Sequence, residues 1–354
     1  MSTVSERVTN MLSKALWKKD YKQAKLLLWL MPAAGFLFLV FNRMNELILS
    51  PANMKWKLQF INKGSDTATI YSFGYEFTHY RIALAVLALG VAVLLIGMER
   101  RGLHQDFTFS LPFKRTQIYL NKWLLGILFI LGAVLLTNAL DIVVILLSPY
   151  HDYFTLSVHV REVLRSTFIL TAWYTIVLFA GTFTGGALTQ ILLSLVAGVL
   201  PMGLKNMLGS FLSVYWPGYR ELLSPVIRYY WHYLDPLDLV TGGGYSLTSL
   251  YLFGICAVYT LIFLGSGLYA YSKNKPENNG KAILFPGLEP YFLWVAVVCG
   301  ACFTGMVGKN FTAAYYQYQQ NGTSLYAYGL AFLLGGTIVY FVLRFLLKRR
   351  FKFI

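Results

Sequence analysis

The sequence predicts an all-α fold: a polytopic integral membrane bundle of about eight transmembrane helices, within a range of six to eight. Of the 354 residues, 57% are apolar and only 13% are charged. That charged share is about half of the roughly 25% found in soluble domains. The mean hydropathy is +0.56. A soluble fold of this size could not bury so much apolar surface, which excludes an ordinary soluble enzyme, a disordered chain and a disulfide scaffold.

Eight segments have the apolar composition and the length, about 20 residues, that a bilayer-spanning helix needs. In chain order they are 26–42, 82–98, 123–147, 166–185, 187–204, 249–271, 291–308 and 326–347. The fifth is the weakest, because Pro201, Gly203 and Lys205 could mark a break or a re-entrant piece. Residues 26–348 are expected to form one transmembrane domain.

Residues 1–25 are polar and basic and precede the first span. The apolar residues recur at helical spacing: Val8, Met11, Leu12, Ala15 and Leu16. Lysines fill another face, so we expect an amphipathic helix lying on the inner membrane surface, with a frayed cytosolic tail as the alternative. A signal peptide is not expected, because too many charges precede the apolar run.

The distribution of charge predicts the orientation of the chain. The net charge is +15, and Lys and Arg collect in the cytoplasmic loops of membrane proteins. With both termini in the cytoplasm, most Lys and Arg fall in four inner segments: 1–25, the loops 99–122 and 272–290, and the basic tail 349–354. The outer loops are then 43–81, 148–165, 205–248 and 309–325. Facing an anionic lipid bilayer explains the basic excess, so no nucleic-acid partner is expected.

One carboxylate lies well inside a predicted span. Asp141 falls in the outer half of the third span, with Asn138 one turn earlier. Carboxylates inside membranes are energetically costly and usually functional, so both residues are candidates for a substrate path. The alternative is that Asp141 approaches the outer interface. Glu99 is expected at an inner boundary beside Arg100, and therefore not truly buried.

Motifs for catalysis or for metal binding are missing from the sequence. There is no P-loop, no H-E-x-x-H and no G-x-S-x-G. The histidines are expected in loops or at span ends: His79, His104, His151, His159 and His232. The three cysteines lie in apolar stretches and are expected to be packed thiols. The chain is therefore not expected to be an enzyme or to hold a cofactor or metal.

The inner loop 99–122 is the most informative stretch. Ser110 before Pro112 is a helix-start signal. Phe107, Leu111 and Phe113 are too apolar for a freely solvated loop. This segment needs lipid headgroups or another protein to cover it.

The run Ser110-Leu111-Pro112-Phe113-Lys114-Arg115-Thr116-Gln117-Ile118 resembles the coupling region of ABC-2 family permeases, the membrane subunits of ABC transporters. Their pattern is "Leu-Pro-small-x-Arg", and Phe113 is bulkier than usual. Residues 16–22 resemble the family's amphipathic helix before the first span. Residues 275–285 resemble an inner loop of the branch found in bacterial operons for acetoin use or cell-envelope stress, although Pro276 and Asn279 replace its Ser and Ala.

This resemblance implies a permease in the bacterial cytoplasmic membrane that moves, and by family expectation exports, an unidentified amphipathic substrate. ATP and Mg would be bound by separate ABC ATPase subunits, and a second permease, identical or paired, would complete the pathway. The implied coupling residues are Leu103, His104, Gln105, Asp106, Phe107, Leu111, Pro112, Phe113, Lys114, Arg115 and Gln117. The implied second cytoplasmic contact comprises Lys275, Glu277, Asn278, Gly280 and Phe285.

Other readings of the sequence remain open. An ion-coupled secondary transporter would work without an ATPase and would depend on Asp141. A membrane enzyme would need a catalytic constellation, which the sequence does not display. A non-transporting sensor or scaffold in an ABC assembly would keep the same coupling segment. Residues 103–118 could also be an interfacial helix resting on lipid.

Overall fold

A computed structural model describes most of the chain. The described residues are 2–49, 74–100, 108–110, 112–149, 151, 154–216, 234–241, 249–274, 284–285, 287, 289–315 and 322–348. They contain eight helices that are long and apolar enough to cross a membrane, and no β-strand. The prediction of an all-α polytopic membrane protein with eight spans is confirmed.

The eight long helices are labelled in chain order. They are α1 (Ser2–Gly35), α2 (Gly74–Ala92), α3 (Arg115–Leu147), α4 (Leu156–Phe183), α5 (Ala187–Tyr215), α6 (Ser249–Lys273), α7 (Glu289–Tyr315) and α8 (Gly322–Lys348). A short helix, Pro236–Thr241, lies between α5 and α6. The described cysteines are all free thiols.

The first helix is longer than its apolar run. Past Gly35, α1 continues through π-helical turns at Phe36–Phe41 and Asn45–Leu49. Its N-terminal part has the residues expected of the surface helix 1–25, yet no break separates that part from the first span. The junction holds no Gly or Pro to end the helix, so one continuous helix results. In the same way, α2 continues through a π-helical stretch to Met98.

The fifth helix is not broken near position 201, where the sequence suggested a break or a re-entrant piece. α5 runs from Ala187 to Tyr215 and passes through Pro201, Gly203 and Lys205. The start of the predicted outer loop 205–248 is therefore helical. Proline and glycine are tolerated inside transmembrane helices, because neighbouring groups satisfy the freed backbone.

Helix α4 lies at the centre of the bundle. It packs against α2, α3, α5 and α6, while α1 packs against α2 and α3. The hairpin of α7 and α8 packs mainly on itself and joins the bundle through α5. More than half of the apolar window of α2 and of α4 is buried. The other helices expose large apolar side chains such as Leu261, Leu333 and Phe341, a surface suited to lipid.

A close approach of α3 to α4 holds the centre of the bundle together. A Cβ added at Gly126 would lie 2.2 Å from the Tyr174 ring. The Tyr174 hydroxyl donates a hydrogen bond of 2.8 Å to the carbonyl of Lys122. Glycine at 126 thus lets Tyr174 cross to α3 near the end of the bundle that carries residues 103–118, the predicted coupling segment.

Candidate functional site

A cluster of buried charges lies at the predicted cytoplasmic end. We call Lys19, Asp20, Glu99, Thr108 and Lys122 the inner charge cluster. The Lys122 ammonium lies 3.1 Å from a carboxylate oxygen of Asp20 and 3.0 Å from one of Glu99. Lys19 bonds to both Glu99 and Thr108, and the Thr108 hydroxyl donates to Glu99 over 2.5 Å. The cluster therefore ties α1, α2 and α3 to residue 108, inside the inner loop 99–122.

The expectation that Glu99 is not truly buried is wrong. It is only 3% exposed. Burial by itself would raise the pKa of Glu99, but the charges of Lys122 and Lys19 lower it to about 2. The partners of Glu99, Lys122 and Lys19, lie 23 and 80 residues away along the chain. The adjacent Arg100 therefore did not indicate the surroundings of Glu99 correctly.

The predicted coupling residues that the structure describes fall into two sets, one that is exposed and one that faces the interior of the protein. Pro112, Lys114 and Gln117 are exposed. The backbone N–H of Lys114 donates to the side-chain oxygen of Gln117 over 3.1 Å, which fixes the start of α3. Phe113 is half-buried and packs on the chain's own core. Of the three apolar residues for which a covering partner was expected (Phe107, Leu111 and Phe113), Phe113 is thus partly covered by the protein itself.

Arg115 also turns inward. Its guanidinium donates to the carbonyl of Ser272 over 3.2 Å and to that of Asn274. It also lies 4.7 Å above the Phe109 ring. Arg115 therefore connects the start of α3 to the end of α6, which leads into the second predicted cytoplasmic contact.

Several of the predicted site residues lie outside the described residues. They are Leu103, His104, Gln105, Asp106, Phe107, Leu111, Lys275, Glu277, Asn278 and Gly280. Phe285 is described, and its ring lies 5.3 Å from the Phe183 ring at the end of α4. The neighbouring Leu284 N–H donates to the Phe183 carbonyl over 2.8 Å. Phe285 therefore lies at the same end of the bundle as the coupling segment.

A second buried cluster lies at the predicted outer end. Asp141 on α3 accepts from Arg43 over 3.1 Å and lies 3.0 Å from the Nε2 atom of His159 on α4. All three side chains are at most 2% exposed. His159 lies in the first turn of α4, which agrees with the expectation that the histidines lie in loops or at span ends. Because Arg43 neutralises it, Asp141 is a compensated charge.

Other polar side chains at this end make contacts of their own. Arg81 lies 2.9 Å from Glu162, and Arg165 lies 3.7 Å from the same carboxylate. Asn138 is buried, and its amide donates to the Val134 carbonyl of its own helix over 2.8 Å. Asn138 and Asp141 are thus both buried on α3, as their sequence spacing indicates.

No protein-family model matches the chain. Two curated proteins of Bacillus subtilis (strain 168) are similar to it. The chain is 25% identical over 280 residues to "Probable ABC transporter permease YtrD", which covers 77% of this chain and 81% of that protein. It is 28% identical over 211 residues to "Probable ABC transporter permease YtrC", which covers 56% of this chain and 61% of that protein.

Proposed function

We propose that this chain is the permease subunit of an ABC transporter in a bacterial cytoplasmic membrane. The observation that carries the proposal is its similarity, over 77% of its length, to a protein named as a probable ABC transporter permease. The eight membrane-spanning helices fit that role. Membership of the ABC-2 family, and of its acetoin or envelope-stress branch, is part of the proposal.

The coupling segment supports an ATPase docked at the end that carries the inner charge cluster. Pro112, Lys114 and Gln117 are exposed there, while Thr108 is fixed to the bundle through Glu99. A partner that moves this segment would therefore act directly on α1, α2 and α3. ATP and Mg would be held by that ATPase, and a second permease would complete the path for an amphipathic substrate.

Ion-coupled secondary transport is the second candidate, because Asp141 is fully buried inside the bundle. Its ion pair with Arg43 weighs against this role, since a compensated carboxylate does not need a transported cation. A non-transporting sensor subunit would share the coupling segment. Only the ABC readings require an ATPase.

Copurification tests the proposal. The tagged protein is purified from its native membrane in mild detergent, associated chains are identified by mass spectrometry, and ATP hydrolysis is measured. Lys114→Glu reverses an exposed charge in the coupling segment, and Lys25→Glu is the matched control on the exposed face of α1. We expect an ATP-binding chain with wild type and Lys25→Glu, and a loss of most of it with Lys114→Glu. A folded wild-type protein that transports without any ATPase would refute the proposal.

A further inference from the structure

At the junction of α2, α3 and α6, at the predicted cytoplasmic end, four buried polar side chains have hydrogen-bonding atoms without a partner in the described part of the chain. They are Arg100, Tyr119, Tyr271 and Asn274. For Arg100 all three guanidinium nitrogens are unpaired, and for Asn274 both side-chain amide atoms are. Arg100 is 6% exposed and the other three are less exposed still. Buried polar groups in native proteins are nearly always satisfied, so this set requires an explanation.

These side chains lie at one junction, where the end of α2 meets α3 and α6. The rings of Tyr119 on α3 and Tyr271 on α6 are 5.5 Å apart. The backbone N–H of Asn274 donates to the Tyr271 carbonyl over 3.3 Å. Burial lowers the pKa of Arg100 to about 10, so the guanidinium stays charged at neutral pH. Glu99 is a charged neighbour that raises the pKa of Arg100.

The described carboxylates nearby are already occupied. Glu99 is held by Lys19, Lys122 and Thr108. Asp20 accepts from Lys122 and from Asn121 over 2.7 Å. No hydrogen bond joins either carboxylate to the Arg100 guanidinium, whose three nitrogens have no partner among the described residues. Within the described residues, the junction therefore combines a buried guanidinium that has no hydrogen-bond partner with hydroxyl and amide donors, which is the chemistry that receives an anion.

The geometry points to a binding site for a phosphate group, which Arg100 would hold through two oxygens while Tyr271, Tyr119 and Asn274 donate hydrogen bonds. A guanidinium fork matches phosphate oxygens in this way. The level in the membrane favours the headgroup of an anionic phospholipid as the source. Arg100 comes two residues after the span that ends at Met98, and Asn274 directly follows the span that ends at Lys273.

Basic pockets between helices on the cytoplasmic side of membrane proteins hold anionic headgroups. Free inorganic phosphate offers the same chemistry from solution. A bound phosphate would join α2, α3 and α6 beside the inner charge cluster. The site is independent of the proposed transport function, because it requires only the membrane and the fold.

The test measures bound lipid and thermal stability of the purified protein in detergent. The probes are phosphatidylglycerol, phosphatidylcholine and inorganic phosphate, with chloride as the salt control. Arg100→Gln removes the charge. Arg344→Gln is the matched control, because Arg344 is an exposed arginine near the end of α8 that bonds to Tyr340.

We expect native mass spectrometry to show phosphatidylglycerol retained by wild type and Arg344→Gln, with affinity weakened about tenfold or more in Arg100→Gln. Protection by inorganic phosphate alone, also lost in Arg100→Gln, would identify free phosphate as the source. If Arg100→Gln does not fold, Tyr271→Phe removes one donor and should weaken binding severalfold. Equal uptake of phosphatidylglycerol by wild type and both variants, or equal protection by phosphatidylcholine, would overturn the proposal.

Discussion

At the scale of single residues, two carboxylates are buried in compensated groups that join helices distant in sequence. Asp141 is matched by Arg43 and His159, and Glu99 by Lys19 and Lys122. An unpaired charge in such an environment would be very costly. The sequence could identify Asp141, because an acid inside an apolar run stands out. It could not identify the partners, since a tertiary contact over 98 residues leaves no local pattern.

The Arg43–Asp141 pair permits a double-mutant test. Arg43→Met or Asp141→Leu alone should destabilise the protein by about 3–5 kcal/mol, because each leaves a buried charge without its counter-charge. The double variant should be less destabilised than the sum of the two singles. Thermal unfolding in detergent measures all three. Simple additivity would show that the two charges do not compensate each other.

Acid stability tests the surroundings of Glu99. Its pKa is lowered from 4.5 to about 2 in the folded protein. A carboxylate with a depressed folded pKa stabilises the protein above its unfolded value, and that contribution is lost as pH falls through the folded value. Wild type should therefore lose stability between pH 4.5 and pH 2 more steeply than Glu99→Gln, which has no carboxylate to protonate. Parallel stability curves over this window would contradict the assignment.

At the scale of helices, hydropathy located every span but not the helix ends. The first span was predicted at 26–42, and the helix runs from Ser2 through Leu49. A span predicted from hydropathy ends at charged residues, whereas the helix itself continues where those charges find partners. Asp20 illustrates this, since Lys122 pairs with it inside the bundle. At α5 the breakers Pro201 and Gly203 indicated an end that the membrane-spanning helix does not have.

Two glycines of α3 give a matched test of helix packing. Gly126→Ala should cost about 1–3 kcal/mol, because its Cβ would lie 2.2 Å from the Tyr174 ring and the helices would have to separate. Gly132→Ala meets no atom within 4 Å and should be neutral or slightly stabilising. Comparing the melting temperatures of the two variants in detergent separates the effect of helix packing on stability from the effect of helix propensity. Equal effects would contradict the close approach of α3 to α4.

At the scale of the whole molecule, the fold class and the number of spans followed from composition and apolar run length. These signals are strong because a bilayer leaves few spanning structures other than helices. The arrangement of the helices around α4 could not be predicted, since every span is similarly apolar. The coupling segment was predicted from a short motif, whereas the inner charge cluster depends on contacts between distant residues.

The orientation of the bundle is testable with single cysteines. Lys114 is exposed at one end of the bundle, and His151 is exposed at the other. A membrane-impermeant maleimide should label His151→Cys in intact cells, and Lys114→Cys only after the membrane is opened. Wild type controls for the native thiols of Cys256, Cys299 and Cys302. Labelling of Lys114→Cys in intact cells would reverse the predicted orientation.

The most direct test of the permease assignment is photo-crosslinking from the coupling segment in native membranes. A photoreactive amino acid replaces Lys114, and the control places it at Lys25 on α1, which is also exposed. The account predicts a crosslink from position 114 to an ATP-binding chain and none from position 25. A folded, membrane-inserted protein that gives no crosslink from position 114 to such a chain would contradict the assignment as an ATPase-driven permease.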